Sequence, residues 1–434
     1  MTSSLRRAGG FALVGTLSLT TPALGQAAAA PFAIVAVLAA FVVDDGPLFE
    51  LFARPGDRRD GRLNGLAGFA LAATVLALLA TVPRTPIPVG VYVAAVLVLG
   101  YGNLGTQFIA ETSSDPFHTA AGFVVAGFAA GSVGQFAVAN MGTEPVAPAT
   151  VAFLAASGAL VAALLRSVLY ERDDPLVMLS TGFTLWLLDF LVADVAPVEV
   201  GAALAVTVVL GYVSYALETA SVAGMLTGVL LGLLTIVLGG IGWFAVLITF
   251  FGVGGLSTKF RYEQKRARGV AEPNEGARGT GNVLGNATVA LVAVVCFAAS
   301  AKLPVAGDVF RFAFAGSLAA AMSDTLSSEI GGLYDRPRLI TTLEPVPPGT
   351  DGGVTWQGEL AGVAGAAVVA VIAAGLWALS PVGASLVAAG GLVGMTVDSL
   401  LGATVEGEHL GNATVNLLAT LAGAVAAGLL SFVL

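Results

Sequence analysis

Three carboxylates in the second half of the chain stand at the ends of long apolar stretches, where charge is costly. Ser323-Asp324-Thr325-Leu326-Ser327-Ser328-Glu329 closes the segment 307–328, and Asp398-Ser399 lies at the polar end of 381–402. On a helix Asp324 and Ser328 share a face, as do Thr325 and Glu329. A carboxylate inside a membrane helix usually lines a cavity or pathway. Carboxylates with hydroxyls offer hard oxygen donors that suit Mg²⁺ and leave coordination places for water and phosphate. Asp324, Glu329 and Asp398 are therefore candidate catalytic residues and candidate metal ligands, with Asp398 alternatively a general base. The plainer reading is a helix end dipping among headgroups, with Asp398 satisfied by neighbouring Asn.

Phosphate chemistry needs cations, amides and open backbone near those acids. The loop from Lys259 to Arg278 is basic, and Gly276, Gly279 and Gly281 flank Arg278. Glycines let backbone N–H groups approach a phosphate. A second loop runs from Arg336 to Gly358, with prolines at 345, 347 and 348. In it Arg338 and Thr341 could clamp phosphate oxygens, and Gly349, Gly352 and Gly353 supply permissive backbone. The hexapeptide Leu-Gly-Asn-Ala-Thr-Val occurs twice, placing Asn286 and Asn412 at the starts of two apolar segments. An Asn there caps a helix, and its amide can also meet phosphate at an anion-favouring helix end. Lys259, Arg278, Asn286, Arg338, Thr341, Gly349, Gly352, Gly353 and Asn412 are thus the candidate phosphate-binding residues. Ordinary positive decoration of a membrane loop is the competing account of the lysines and arginines. G-x-x-x-x-G-K-[ST] is absent, so this is no P-loop.

The elements that must position these groups are membrane helices. Of 434 residues, 56% are hydrophobic and 11% charged, with mean hydropathy +0.90. Such values indicate a polytopic membrane protein. Fifteen apolar stretches are expected spans: 9–25, 27–43, 63–83, 89–110, 119–141, 148–166, 175–195, 198–215, 221–238, 241–256, 284–303, 307–328, 358–378, 381–402 and 412–434. The expected class is all-α, a polytopic transmembrane helical bundle. The Lys/Arg-rich loops 44–62, 257–283 and 329–357 then share one side, which predicts a cytoplasmic N-terminus, an outside C-terminus and a cell-membrane location. Arg6-Arg7 and the following apolar run resemble a signal peptide, but a second apolar run follows at once, so a retained helical hairpin is expected.

Composition also excludes. A net charge of −9 argues against nucleic-acid binding, which needs a basic face. The single Cys296 rules out a disulfide framework within the chain. His118 and His409 have no ligand spacing for zinc. The order of elements repeats, with two spans, a basic loop and five spans in each half. This predicts a domain over 1–197, a connecting helix at 198–215, and a domain over 216–434, the halves being parallel repeats. Gly102-Asn103-Leu104-Gly105-Thr106 and Glu111 stand in the first half where the second has Asp324 and Glu329. The first half then keeps the scaffold and lacks the reaction.

Several ordered runs carry a resemblance. They are Gly255-Leu256-Ser257-Thr258-Lys259, Arg278 with Asn282 to Asn286, Ser323-Asp324-Thr325 with Ser328-Glu329, Pro337 to Thr342, Val346 to Val354, Asp398 to Thr404, and Asn412 with Val415-Asn416. From about residue 214 the chain resembles the membrane family that includes plant phytyl-phosphate kinase and animal transmembrane protein 19. It is distantly similar to the dolichol and phytol kinases. The resemblance implies transfer of a phosphoryl group from a nucleoside triphosphate such as CTP to an isoprenoid monophosphate, with Mg²⁺. The partners are then a lipid phosphate and the bilayer; in an archaeon the product would be geranylgeranyl diphosphate for ether lipids. A CDP-lipid or polyprenol-processing transferase is the related alternative. A transporter or lipid flippase is the alternative from another class, and the oligomeric state is open.

Overall fold

The computed structural model describes residues 3–84, 86–142, 146–170, 173–192, 195–217, 221–271, 280–407 and 409–434. It is all-helical apart from one two-stranded hairpin. In chain order the helices are α1 (Ser3–Gly15), α2 (Thr21–Leu24), α3 (Ala30–Phe41), α4 (Gly46–Phe52), α5 (Pro55–Asp60), α6 (Asn64–Leu79) and α7 (Val89–Ala110). There follow α8 (Pro116–Met141), α9 (Pro148–Val168), α10 (Asp174–Leu191), α11 (Pro197–Ala216), α12 (Val222–Gly239) and α13 (Ile241–Lys259). Then come α14 (Tyr262–Ala267), α15 (Thr280–Ala298), α16 (Gly307–Gly331), strands β1 (Arg338–Leu339) and β2 (Gly353–Val354), α17 (Trp356–Trp377), α18 (Pro381–Thr404) and α19 (Asn412–Leu430). The chain divides into two compact units, Met1–Leu204 and Ala205–Leu434, at a point inside α11.

The expected fifteen spans shrink. Among the described residues ten helices are long and apolar enough to cross a membrane, or eleven if the bent pair at the N-terminus counts as one. That pair, Ser3–Ala27 and Ala30–Phe41, bends by 112°, so the two expected spans there are one broken element. Asn64–Leu79 and Val283–Ala298 are apolar but short. α16 is long enough but carries Asp308, Arg311, Asp324 and Glu329, too polar for a plain span. Hydropathy windows see apolar length and miss breaks, which is where the expected spans and the helices differ.

Helix starts follow from local chemistry. Ser221, Thr355 and Ser380 cap α12, α17 and α18, each side chain accepting from the backbone N–H three residues on. Pro381 fills the next position in α18, where its missing N–H has no helix partner to lose.

Unit 1 centres on α7, whose residues Val91 to Gly100 are buried and which packs against α1, α8, α9 and α10. Unit 2 centres on α16, enclosed by α13, α15, α17, α18 and α19. In lipid no hydrophobic force drives helices together, so association rests on close packing. Small residues make that possible: a side chain at Gly423 of α19 would meet Ala320 Cβ at 2.7 Å and Gly316 O at 2.8 Å. Ser323 Oγ donates to Gly362 O of α17 at 2.8 Å, which ties α16 to α17 one residue before Asp324.

After α16 the chain forms an antiparallel hairpin, with Arg338 opposite Val354 and Leu339 opposite Gly353. Ile340 N–H donates to Gly352 O at 3.0 Å. This register folds the segment 345–353 back toward the helix ends of unit 2.

Candidate active site

A polar cavity of about 410 Å³ lies among the ends of α13, α15, α16, α18 and α19 and the hairpin. The size suits a small ligand or the head of a larger one. Asp324, Glu329, Asp398, Asn286, Asn412, Gly349, Gly352 and Gly353 all line it. Residues distant in sequence therefore meet in one niche.

Two carboxylates form its centre. The carboxyl of Asp398 neighbours that of Asp324, with Asp351 also near, and all three line the cavity. Asp398 Oδ1 is buried and finds no hydrogen-bond partner among the described residues. Two neighbouring carboxyl groups require a proton or a cation between them. A divalent cation fits this donor set: hard oxygens from Asp324 and Asp398, with an orphaned oxygen among them. No group of three or more His, Cys, Asp or Glu among the described residues is arranged to hold a metal ion by itself. A cation here would complete its shell with hydroxyl, water or ligand oxygens.

Glu329 has a different neighbourhood from the one expected. It is 7% exposed and ion-paired to the buried Lys265. The amides divide differently too. Asn286, 3% exposed, reaches the cavity from α15. Asn412 Oδ1 accepts from Asn416 Nδ2 at 2.8 Å, one helical turn on. Gly352 sits at φ +71°, and a side chain there would meet Ala403 N at 2.5 Å and Ser399 O at 2.6 Å. Only a glycine lets the loop rest on the end of α18.

Three expected clamps stand elsewhere. Lys259, Arg338 and Thr341 are exposed and are not part of the cavity lining. Arg338 donates to Leu343 O at 2.6 Å, so its guanidinium holds the hairpin. Arg278 lies outside the described residues. Among the described lining residues the charged ones are Asp324, Glu329, Asp351, Asp398 and Glu406, with no Lys or Arg. Burial, then repulsion from Asp351 and Asp398, pushes the Glu406 carboxyl up to about 7.

Sequence reasoning passed over Thr258, Thr325, Asp351, Glu406 and Asn416 as site residues, all of which line the cavity. Two carried a signal. Asn416 follows Asn412 by four residues on a helix, and Asp351 lies inside the Gly-rich turn.

The acidity decides the chemistry. Two like charges about 4 Å apart repel by about 4 kcal/mol at an effective dielectric of about 20. A bare phosphate would face several such terms. A phosphate accompanied by divalent cations would face attraction.

The sequence has relatives. Protein VTE6, chloroplastic, of Arabidopsis thaliana is 30% identical over 212 residues, covering 48% of this chain and 64% of that protein. An uncharacterised membrane protein of Methanocaldococcus jannaschii is 36% identical over 208 residues, 46% of this chain and 82% of the relative. One from Synechocystis sp. is 35% identical over 193 residues, 43% of this chain and 74% of the relative. No solved structure matches. The family model described as integral membrane protein DUF92 matches residues 205–424, the part of the chain that holds the cavity, and the protein belongs to that family of integral membrane proteins.

Proposed function

We propose that this protein is an integral-membrane kinase that moves a phosphoryl group from a nucleoside triphosphate such as CTP to an isoprenoid monophosphate, giving the diphosphate. The observation that carries the reading is the Asp324–Asp398 pair at the centre of a polar cavity on the helix ends of a membrane protein. The resemblance to phytyl-phosphate kinase supplies the lipid class, and Asp324, Thr325, Asp398 and Ser399 of its motifs line the cavity.

In the reaction an oxygen of the lipid phosphate attacks the γ-phosphorus, and the bond to the β-phosphate oxygen breaks. The nucleoside diphosphate leaves with the electron pair. A phosphate monoester has a second pKa of about 6, so the nucleophile is already ionised near neutral pH and needs no strong base. Catalysis is then positioning and charge neutralisation. Mg²⁺, held by Asp324 and Asp398, would neutralise the phosphates. Asn286, Asn412 and the backbone at Gly352 and Gly353 would orient phosphate oxygens. Thr258 and Thr325 would add hydroxyl contacts. The cavity has few apolar walls, so the prenyl tail would leave it and run between helices.

The test uses purified full-length protein with CTP, Mg²⁺ and geranylgeranyl phosphate. Geranylgeranyl diphosphate and CDP should form together, and Asp324→Asn should abolish both. Release of inorganic diphosphate with a CDP-linked lipid would identify a cytidylyltransferase instead.

A further inference from the structure

Lys265 is the most buried charged side chain at the site, 1% exposed, and nothing in the reaction above uses it. An ammonium has three N–H donors. Here they go to Ser257 O at 2.9 Å, Thr258 O at 2.7 Å and the carboxylate of Glu329. No donor remains for a ligand. Ser257 and Thr258 are in the last turn of α13, where carbonyls run short of helical donors (Phe260 N–H reaches Ser257 O at 3.2 Å), so Lys265 caps that helix at its negative end. Glu329 is in the last turns of α16, five residues beyond Asp324.

The chain takes unusual steps to bring Lys265 there. Arg261, between α13 and α14, has φ +51°, a left-handed conformation that is unfavourable for a non-glycine residue. This turn folds α14 back over the end of α13. A second tie follows, with Arg268 Nη2 donating to Tyr334 O and to Asp335 Oδ1, both at 2.8 Å. Thr258 and Glu329 both line the cavity, so Lys265 joins two of its walls from behind.

Resting on the proposed function, we infer that Lys265 is a positioning residue: it fixes Glu329 and the end of α13 as the back wall of the cavity. Glu329 is thereby a wall group, and the divalent cation belongs to Asp324 and Asp398. This departs from the expectation that Glu329 ligates the metal.

The experiment titrates the full-length chain with Mn²⁺, read by electron paramagnetic resonance, and measures kcat and KM with geranylgeranyl phosphate. Removing one member of a buried pair strands the other charge, so the single variant Lys265→Met should unfold readily. The double variant Lys265→Met/Glu329→Gln strands neither and should regain most of the melting temperature. In that double variant Mn²⁺ affinity should change less than about threefold. Its kcat should fall about 10- to 100-fold with KM nearly unchanged, since a displaced wall misaligns the reacting groups. A purely structural pair would leave kcat intact once folding is restored, and that result overturns the inference. So does a double variant Lys265→Met/Glu329→Gln that, folded, loses Mn²⁺ as severely as Asp324→Asn. A wild-type chain that takes up no Mn²⁺ removes the proposed function and this assignment together. Mn²⁺ uptake by the wild-type chain with no phosphoryl transfer, and with the folded double variant binding as weakly as Asp324→Asn, removes this assignment on grounds separate from the choice of substrate.

Discussion

In unit 1 the central helix carries Asn103, whose Oδ1 accepts from Arg166 Nε at 3.2 Å. Arg166 also lies 3.3 Å from the buried Asp174, and Arg54 pairs with the same carboxylate. In unit 2 the central helix carries Asp324, and its neighbour on α18 is another carboxylate, Asp398. Asn103 and Asp324 each stand seven residues before the last residue of their helix, Ala110 and Gly331. The polar groups at this level are complementary in unit 1 and alike in unit 2. In unit 1 two guanidiniums face one carboxylate and an amide, so the charges attract. Two carboxyls repel until something positive arrives. The first arrangement pairs opposite charges and the second places like charges together, which is the contrast expected if the second half takes up a cation.

The comparison can be broken most forcefully at its acidic end. Asp324→Asn or Asp398→Asn should lower kcat/KM by at least about 100-fold, with the fold intact by circular dichroism. Comparable loss from Asn103→Ala would erase the distinction between the units. A second prediction concerns the unit 1 cluster. Asp174→Asn leaves two arginines without their carboxylate and should cost about 3 kcal/mol, a fall of roughly 5–10 °C in melting temperature. Mn²⁺ affinity should stay at the wild-type value.

A third prediction follows from Glu406, whose carboxyl is raised to about 7 by burial and by Asp351 and Asp398. A raised carboxyl favours the fold while protonated, and that contribution is lost as pH rises through about 7. Without divalent cation the melting temperature should therefore fall as pH rises from about 4.5, the ordinary value, to about 7, and level off above it. Mn²⁺ competes with the proton, so its affinity should weaken as pH drops through the same window. Glu406→Gln should flatten both profiles. The smallest effect is expected for Arg338→Ala, which should change kcat/KM less than about threefold, because its guanidinium holds the Leu343 carbonyl.

Much of the fold was legible from apolar length and capping residues, since Ser221, Thr355 and Ser380 begin helices for local reasons that sequence states directly. The spans were least legible where length and straightness part company, as at the 112° bend. Asp324, Asp398, Asn286 and Asn412, which line the cavity, stood out in the sequence because polar residues at the ends of apolar helices are costly. The basic loop was not legible. Lys259 and Lys265 look equivalent on paper, yet one is exposed and one is buried, and the difference rests on a left-handed turn at Arg261 that residue type does not announce. Arg338 and Asp351 were misjudged together, because the register of a two-residue ladder decides which side of the hairpin meets the cavity.

The central claim is that Asp324 and Asp398 share a divalent cation that brings phosphate to this cavity. Its most direct measurement is Mn²⁺ binding to the full-length protein with and without CTP, compared with Asp324→Asn/Asp398→Asn. The account predicts saturable binding that tightens when CTP is added and disappears in the double variant. Binding of equal strength in the double variant would contradict it.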